Sequence, residues 1–213
     1  MSGFKNAAGK PVLLKIVAAI QKNKDYLGEV DGLIGDGDHG MNMNKGFTMF
    51  AGEIAGKEIS FSDGLDELGN LLFSKIGGSM GPIYGTVFMG MAEAGSDLDG
   101  IDTAGLAKMF GAGLEGLQGI VEAKVGDKTL VDTLSPAFDA LKTAAACGAD
   151  FKSALAAMKT AAEKGRDSTK DLVAKFGRSS RLGERSRGVL DAGACSCCII
   201  LSAIADGIAE QLS

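Results

Sequence analysis

The chain lacks several of the residues that usually brace a fold. It has no tryptophan, 3 prolines, 4 cysteines and 1 histidine among 213 residues. With so little proline, few helical stretches are forced to stop by it. Cys147, Cys195, Cys197 and Cys198 include no second pair at zinc-site spacing and no nearby histidine, which argues against a structural zinc. In CSCCIILSAIADGIAEQL, Cys197, Leu201, Ile204, Ile208 and Leu212 recur at helical spacing, so these thiols read as small core residues. Basic residues are not in excess either: 22 Lys and Arg against 27 Asp and Glu give a net charge of -5. That balance argues against nucleic acid as the main partner, since binding a phosphate backbone needs clustered cations.

Long hydrophobic runs are also missing. The longest, Ala194 to Ile204, falls short of the roughly 20 apolar residues that a bilayer span needs. Near the N-terminus, PVLLKIVAAIQ follows Lys5 and Lys10 as a signal peptide would, but Lys15 interrupts it and no small-residue cleavage site comes after. It reads as a first amphipathic helix, with no membrane segment expected and a cytoplasmic location the consequence. No shift of composition marks an internal boundary, so residues 1–213 are expected to form one domain.

Helical periodicity is what the chain has in abundance. Leu106, Met109, Phe110, Leu114, Leu117 and Val121 share one face behind the natural caps Asp102 and Thr103. Leu65, Leu68, Leu72 and Ile76 repeat the pattern, as do Leu130, Leu134, Phe138 and Leu141, then Leu155, Met158 and Ala162. No segment alternates apolar and polar residues for long, so the fold class is all-α. Glycine supplies the punctuation, at Gly35–Gly40, Gly77–Gly81, Gly126 and Gly177–Gly188, and each cluster also carries polar or charged residues. A helical scaffold that displays several functional loops follows.

One cluster poses a chemical problem. GDGDHGMNMN places Gly35, Gly37 and Gly40 in the dinucleotide pattern G-x-G-x-x-G, yet no buried strand precedes it, and bare aspartates would repel a pyrophosphate. A hard divalent cation between the two removes the conflict. Asp31, Asp36 and Asp38 offer the carboxylate oxygens that Mg²⁺ prefers, and Mg²⁺ usually completes its octahedron with water and substrate phosphates. The glycines let the backbone bend enough to aim all three at one place. An EF-hand fits weakly, because counting from Asp36 puts Phe47 where a bidentate Glu belongs, and Gly9-Lys10 is no Walker A because Pro11 follows. A solvated acidic loop is the alternative that the residues leave open. His39 fits either a phosphate contact or a hydrogen-bonding cap.

Four blocks in order extend the pattern: DGLIGDGDHGMNMNKGF from Asp31, GGSMGPIYGT from Gly77, VGDKTLVDTLSPA from Val125, and GRSSRLGERS from Gly177 with the later Asp191-Ala192-Gly193. Together they resemble the L subunit of dihydroxyacetone kinase over most of the chain. The resemblance implies an up-and-down barrel of eight helices with the nucleotide site in the loops at one end. It implies that Asp31, Asp36 and Asp38 hold two Mg²⁺ ions bridging the phosphates of ADP or ATP. His39, Asn42 and Met43 would flank the nucleotide; Gly78, Ser79, Met80 and Gly81 would contact phosphate; Leu130 would lie by the adenine; and Arg178, Asp191 and Gly193 would close the site, with Arg178 the catalytic candidate. It further implies a separate K-type (DhaK-like) subunit that binds dihydroxyacetone or a related short ketose. In phosphotransferase-system versions a phosphohistidine (DhaM-like) protein recharges a resident ADP.

The chain departs from the family pattern at Ser79-Met80, where the hydroxyl stands one position earlier than usual, at Val121-Glu122, and across Val189 to Ala194. Two further readings share the nucleotide site: a kinase subunit for another acceptor such as a fatty acid, and an ADP-bound adaptor of a transcriptional regulator.

Overall fold

The computed structural model describes residues 3–212. Nine α-helices lie among them: α1 (Lys10–Lys22), α2 (Lys24–Ile34), α3 (His39–Ile54), α4 (Phe61–Lys75), α5 (Met80–Gly95), α6 (Thr103–Gln118), α7 (Val131–Ala146), α8 (Phe151–Ser168) and α9 (Ala192–Gln211). The periodicity that sequence shows is the periodicity of burial. On α1 the residues Val12, Leu13, Ile16, Val17 and Ile20 are all buried, and Pro11 sits in the first turn, where its missing N–H costs nothing. The stretch Tyr26 to Ile34 is helical, in keeping with its lack of strand character.

Helix starts fall into two groups. Ser60, Asp102 and Asp150 cap α4, α6 and α8, each accepting the backbone N–H three residues on. By contrast, the N-cap residues of α3, α5 and α7, namely Asp38, Ser79 and Leu130, give their helices no side-chain cap. Successive helices from α3 to α9 pack side by side, α9 packs on α1, and α1 packs on α3, while α2 lies against α3 and α9. The starts of α3, α5 and α7 share one pole with the start of α9, which Asp191 caps, while α1, whose N-cap Gly9 also gives no side-chain cap, begins at the other pole.

A single apolar core fills the interior. Phe88 sits at its centre, edge-on to Phe47 at 6.3 Å and stacked with Tyr84 at 6.1 Å. Helix α9 is buried on almost every side, including Cys195, Cys197 and Cys198. By length and composition it could cross a membrane, but 72% of its apolar window is buried inside this protein, so its apolarity serves the core. The apolar run Ala194 to Ile204 ends before Asp206, and beyond it the buried Gly207 and Ile208 carry the apolar face on.

The opposite pole is sewn together by polar contacts. Phe4–Lys5 pairs antiparallel with Gly100–Ile101, a strand pair too short for any alternation to show. Next to it, the buried Asn6 donates to Ser62 Oγ (3.1 Å), Gly95 O (3.2 Å) and Leu98 O (2.9 Å), and accepts the Ser62 N–H at 3.0 Å. The start of α1 and the end of α9 meet there as well: Gln211 donates to Ala8 O at 2.9 Å, and Lys15 pairs with Glu210 at 2.5 Å.

Asn6→Ala would strand the Ser62 main-chain N–H in a dry site. The expected cost is about 1–3 kcal/mol of unfolding free energy, read from the urea midpoint at unchanged slope.

Candidate functional site

At the pole where α3, α5 and α7 begin, α2 ends and three carboxylates converge. Asp31 belongs to the last turn of α2, and Asp36 and Asp38 to the link into α3. One oxygen from each lies within 4.8 Å of the others. The glycines between them make this possible for distinct reasons. A Cβ on Gly35 would stand 2.3 Å from Asp31 Oδ1, and Gly37 has φ +78°, a left-handed conformation that favours glycine. Two groups answer the concentrated negative charge: the Arg178 guanidinium pairs with Asp36, and the His39 main-chain N–H donates to Asp31 Oδ2 at 3.3 Å. Hard oxygen donors at this spacing on a half-exposed loop fit a divalent cation of the Mg²⁺ type.

The neighbouring helix starts are tied to one another through α9. His39, the first residue of α3, places Nε2 2.8 Å from Ser196 Oγ. Tyr84, in the second turn of α5, places its hydroxyl 2.7 Å from the same Ser196 oxygen and donates to Gly193 O at 3.1 Å. Burial pushes the His39 imidazole below its usual range, against the opposing pull of Asp31 and Asp38, so the ring favours its neutral form. Asp191 caps α9 by accepting the Ala194 N–H at 2.8 Å, and burial raises its carboxyl to about 6. Leu130, at the start of α7, stands against the same turn: a Cβ on Gly193 would approach its backbone N to 3.6 Å.

The residues singled out in the sequence fall into place as follows. Asp31, Asp36, Asp38, His39 and Arg178 are gathered in one cluster, and Leu130, Asp191 and Gly193 in a second that His39 joins through Ser196. Asn42 is half-buried on the first turn of α3, and Gly78 and Ser79 are exposed just before α5. Two residues turn away: Met43 is fully buried and Met80 is 8% exposed, both in the core. Gly81 serves packing, since a Cβ there would meet Ile76 O at 2.2 Å.

Sequence reasoning missed Tyr84, Ser196 and Asp132. Asp132 accepts the N–H groups of Gly126 (2.6 Å) and Thr129 (2.7 Å) and so shapes the loop before α7. All three are polar residues in the first or second turn of a helix that follows a glycine-containing loop, which is the one signal that could have marked them. A broad concavity of about 660 Å³ lies along α5 and α6, lined by Thr86, Gly90, Glu93 and Gly116 among others, and by none of the residues above.

The family model of the DAK2 domain matches residues 33–206. The chain is 38% identical over 186 residues to the "PEP-dependent dihydroxyacetone kinase 1, ADP-binding subunit DhaL" of Listeria innocua, covering 87% of this chain and 88% of that one. It is 36% identical over 184 residues to the corresponding ADP-binding subunit DhaL of Escherichia coli, covering 85% and 87%. The crystal structure of the dihydroxyacetone kinase from C. freundii in complex with AMP-PNP and Mg²⁺ superposes with a TM-score of 0.69 at 20% identity, over 97% of this chain and 35% of that one. The shared fold, and the identity along nearly the whole length of the DhaL subunits, place the chain in the DAK2-domain family, alongside those subunits.

Proposed function

We propose that this chain is the nucleotide-binding subunit of a dihydroxyacetone-type kinase. It would bind ADP or ATP with Mg²⁺ and pass a phosphoryl group to dihydroxyacetone, or a related short ketose, held on a separate K-type subunit. The observation that carries the reading is the juxtaposition at one pole: three carboxylates within 4.8 Å, beside helix starts with no side-chain cap of their own. Helix N-termini attract phosphate oxygens and clustered carboxylates attract the metal that accompanies them. Residues 1–213 would act as one domain, with α1 and α3 to α9 as an eight-helix up-and-down barrel and α2 carrying Asp31 to its mouth; the packing order, returning from α9 to α1, supports this.

Each residue then has a role that follows from its surroundings. Asp31, Asp36 and Asp38 would hold Mg²⁺, two ions by the family resemblance. Bound there, the metal supplies neutralisation of phosphate charge, the main requirement of phosphoryl transfer. His39, Asn42 and the main chain around Met43 would line one side, and Gly78, Ser79 and the main chain of Met80 and Gly81 the other. Leu130 would offer an apolar seat for the base, and Asp191 and Gly193 would fix the start of α9 beneath it. Arg178, 62% exposed and already at Asp36, would exchange that carboxylate for a phosphate oxygen and act as the catalytic cation.

The relatives' names support the partners. They are ADP-binding subunits of kinases described as PEP-dependent or, in Lactococcus lactis, PTS-dependent, which fits a phosphohistidine donor protein of the M type and a cytoplasmic setting. The exposed apolar residues Leu33, Met41 and Phe176, each two positions from Asp31, His39 or Arg178, offer a surface for the ketose-bearing subunit.

Asp36→Ala is expected to weaken ADP binding at saturating Mg²⁺ by at least about tenfold, the equivalent of about 1.4 kcal/mol. Near-native calorimetric affinity in the variant would overturn the metal assignment. The isolated chain should turn over no dihydroxyacetone, with activity appearing only when a K-type subunit is added; turnover by the chain alone would refute the division of labour.

Ser79 and Met80 separate in the same assay. Ser79→Ala should weaken nucleotide binding or transfer, because a hydrogen bond to a charged group is worth about 1.5–3 kcal/mol. Met80→Ser, at a buried position, should instead lower the unfolding midpoint and leave affinity nearly unchanged. A silent Ser79→Ala with a strongly activating Met80→Ser would reverse the assignment.

A further inference from the structure

Between α8 and α9 the chain makes a long excursion, residues 170–188, that carries Arg178 out to Asp36. Its neck is narrow. Gly188 N–H donates to Lys170 O at 2.7 Å, Asp191 N–H donates to Thr169 Oγ1 at 3.0 Å, and the Arg187 guanidinium reaches Asp171 O. Inside the neck lies an ammonium group that none of the preceding roles uses. Lys128 is 1% exposed, and its Nζ donates to two main-chain carbonyls, Thr169 O on one side of the neck and Val189 O on the other.

The backbone at Lys128 is as unusual as its side chain. It has φ +62°, and among the described residues it is the sole non-glycine with positive φ. A left-handed conformation costs a residue with a Cβ roughly 1–2 kcal/mol, so it persists only where surrounding contacts hold it. Here Asp132, by accepting the Gly126 and Thr129 N–H groups, bends the loop so that the lysine enters the interior. Removing an ammonium from water is costly, and burial does push its pKa down; the nearby Asp191 and Asp132 carboxylates oppose that and favour the charged form. A hydrophobic residue of the same length would avoid this cost but leave both carbonyls without their donor, so the ammonium is matched to what it joins.

We infer that Lys128 is a positioning residue: its buried ammonium clips the two ends of the 170–188 excursion together and thereby sets where Arg178 and Asp191 stand. The clip itself is independent of any ligand. Its consequence for nucleotide binding rests on the function proposed above.

The excursion contains Lys170, Lys175, Arg178, Arg181, Arg185 and Arg187, so trypsin reports its opening directly. In the ligand-free full chain, Lys128→Met is expected to speed cleavage inside 170–188 by at least about tenfold, because two charge-assisted hydrogen bonds outweigh the free energy that a factor of ten represents. The rest of the chain should stay resistant and the helical circular dichroism should stay unchanged. Cleavage at the wild-type rate would overturn the clip. In calorimetry with Mg²⁺ and ADP, Lys128→Met should weaken binding in the wild-type background and cost clearly less in an Arg178→Ala background, since part of its effect passes through Arg178 and the rest through Asp191. Fully additive losses would refute that route.

Should Lys128→Met not fold, hydrogen exchange on the unaltered protein decides the matter. Gly188 and Asp191 amides protected like those of α9, with fast amides at 179–183, support a pinned neck; equal exchange at neck and tip sinks it. A wild-type chain that shows the pinned neck but binds no ADP would count against the proposed function and leave the clip standing.

Discussion

Three carboxylates brought within 4.8 Å of one another repel, and the geometry of this pole is organised around that repulsion. Two like charges at about 4 Å cost about 4 kcal/mol at the effective dielectric of a protein surface, so such a cluster needs a nearby positive field. The structure supplies it from several directions: the guanidinium of Arg178, the main-chain N–H of His39, and helix starts whose partial positive charge is not cancelled by a capping side chain.

The bundle thus has two unlike poles. Where α4, α6 and α8 begin, each start is sealed by its own Ser or Asp, and Asn6 and a short strand pair close the remaining gaps. Where α3, α5 and α7 begin, stability is provided less locally, through Ser196, which links α9 to His39 and to Tyr84. Leaving backbone donors open at one end is tolerable because the other end and a continuous apolar core hold the helices in register.

Much of this was legible from residues alone. Apolar spacing of three and four marked the helices because core packing has the helical period, and charge logic singled out Asp31, Asp36 and Asp38 because carboxylates in a phosphate-like loop make little sense without a cation. What stayed hidden has a common cause, which is contact between positions far apart in the chain. Their place near a helix start is the one local mark of Tyr84 and Ser196, and it does not say that the two meet until α5 and α9 are brought together in the fold. Nor does the spacing reveal that Met43 and Met80 turn their side chains into the core, because a helix start contributes both main chain to a loop and side chain to the interior. Asn23, which divides α1 from α2, carries no proline or glycine to announce the break; it shows only in the backbone.

The meeting of Ala8 with Gln211 places the two described ends of the chain side by side, at the pole away from the acidic cluster. Anything tethered to either end would hang from the opposite pole and leave the acidic cluster unobstructed. A fold closed this way can be stitched into a longer polypeptide as readily as it can stand alone, since neither junction passes the cluster. The C. freundii kinase, in which the matching portion is 35% of the chain, shows such a fold embedded in a larger protein.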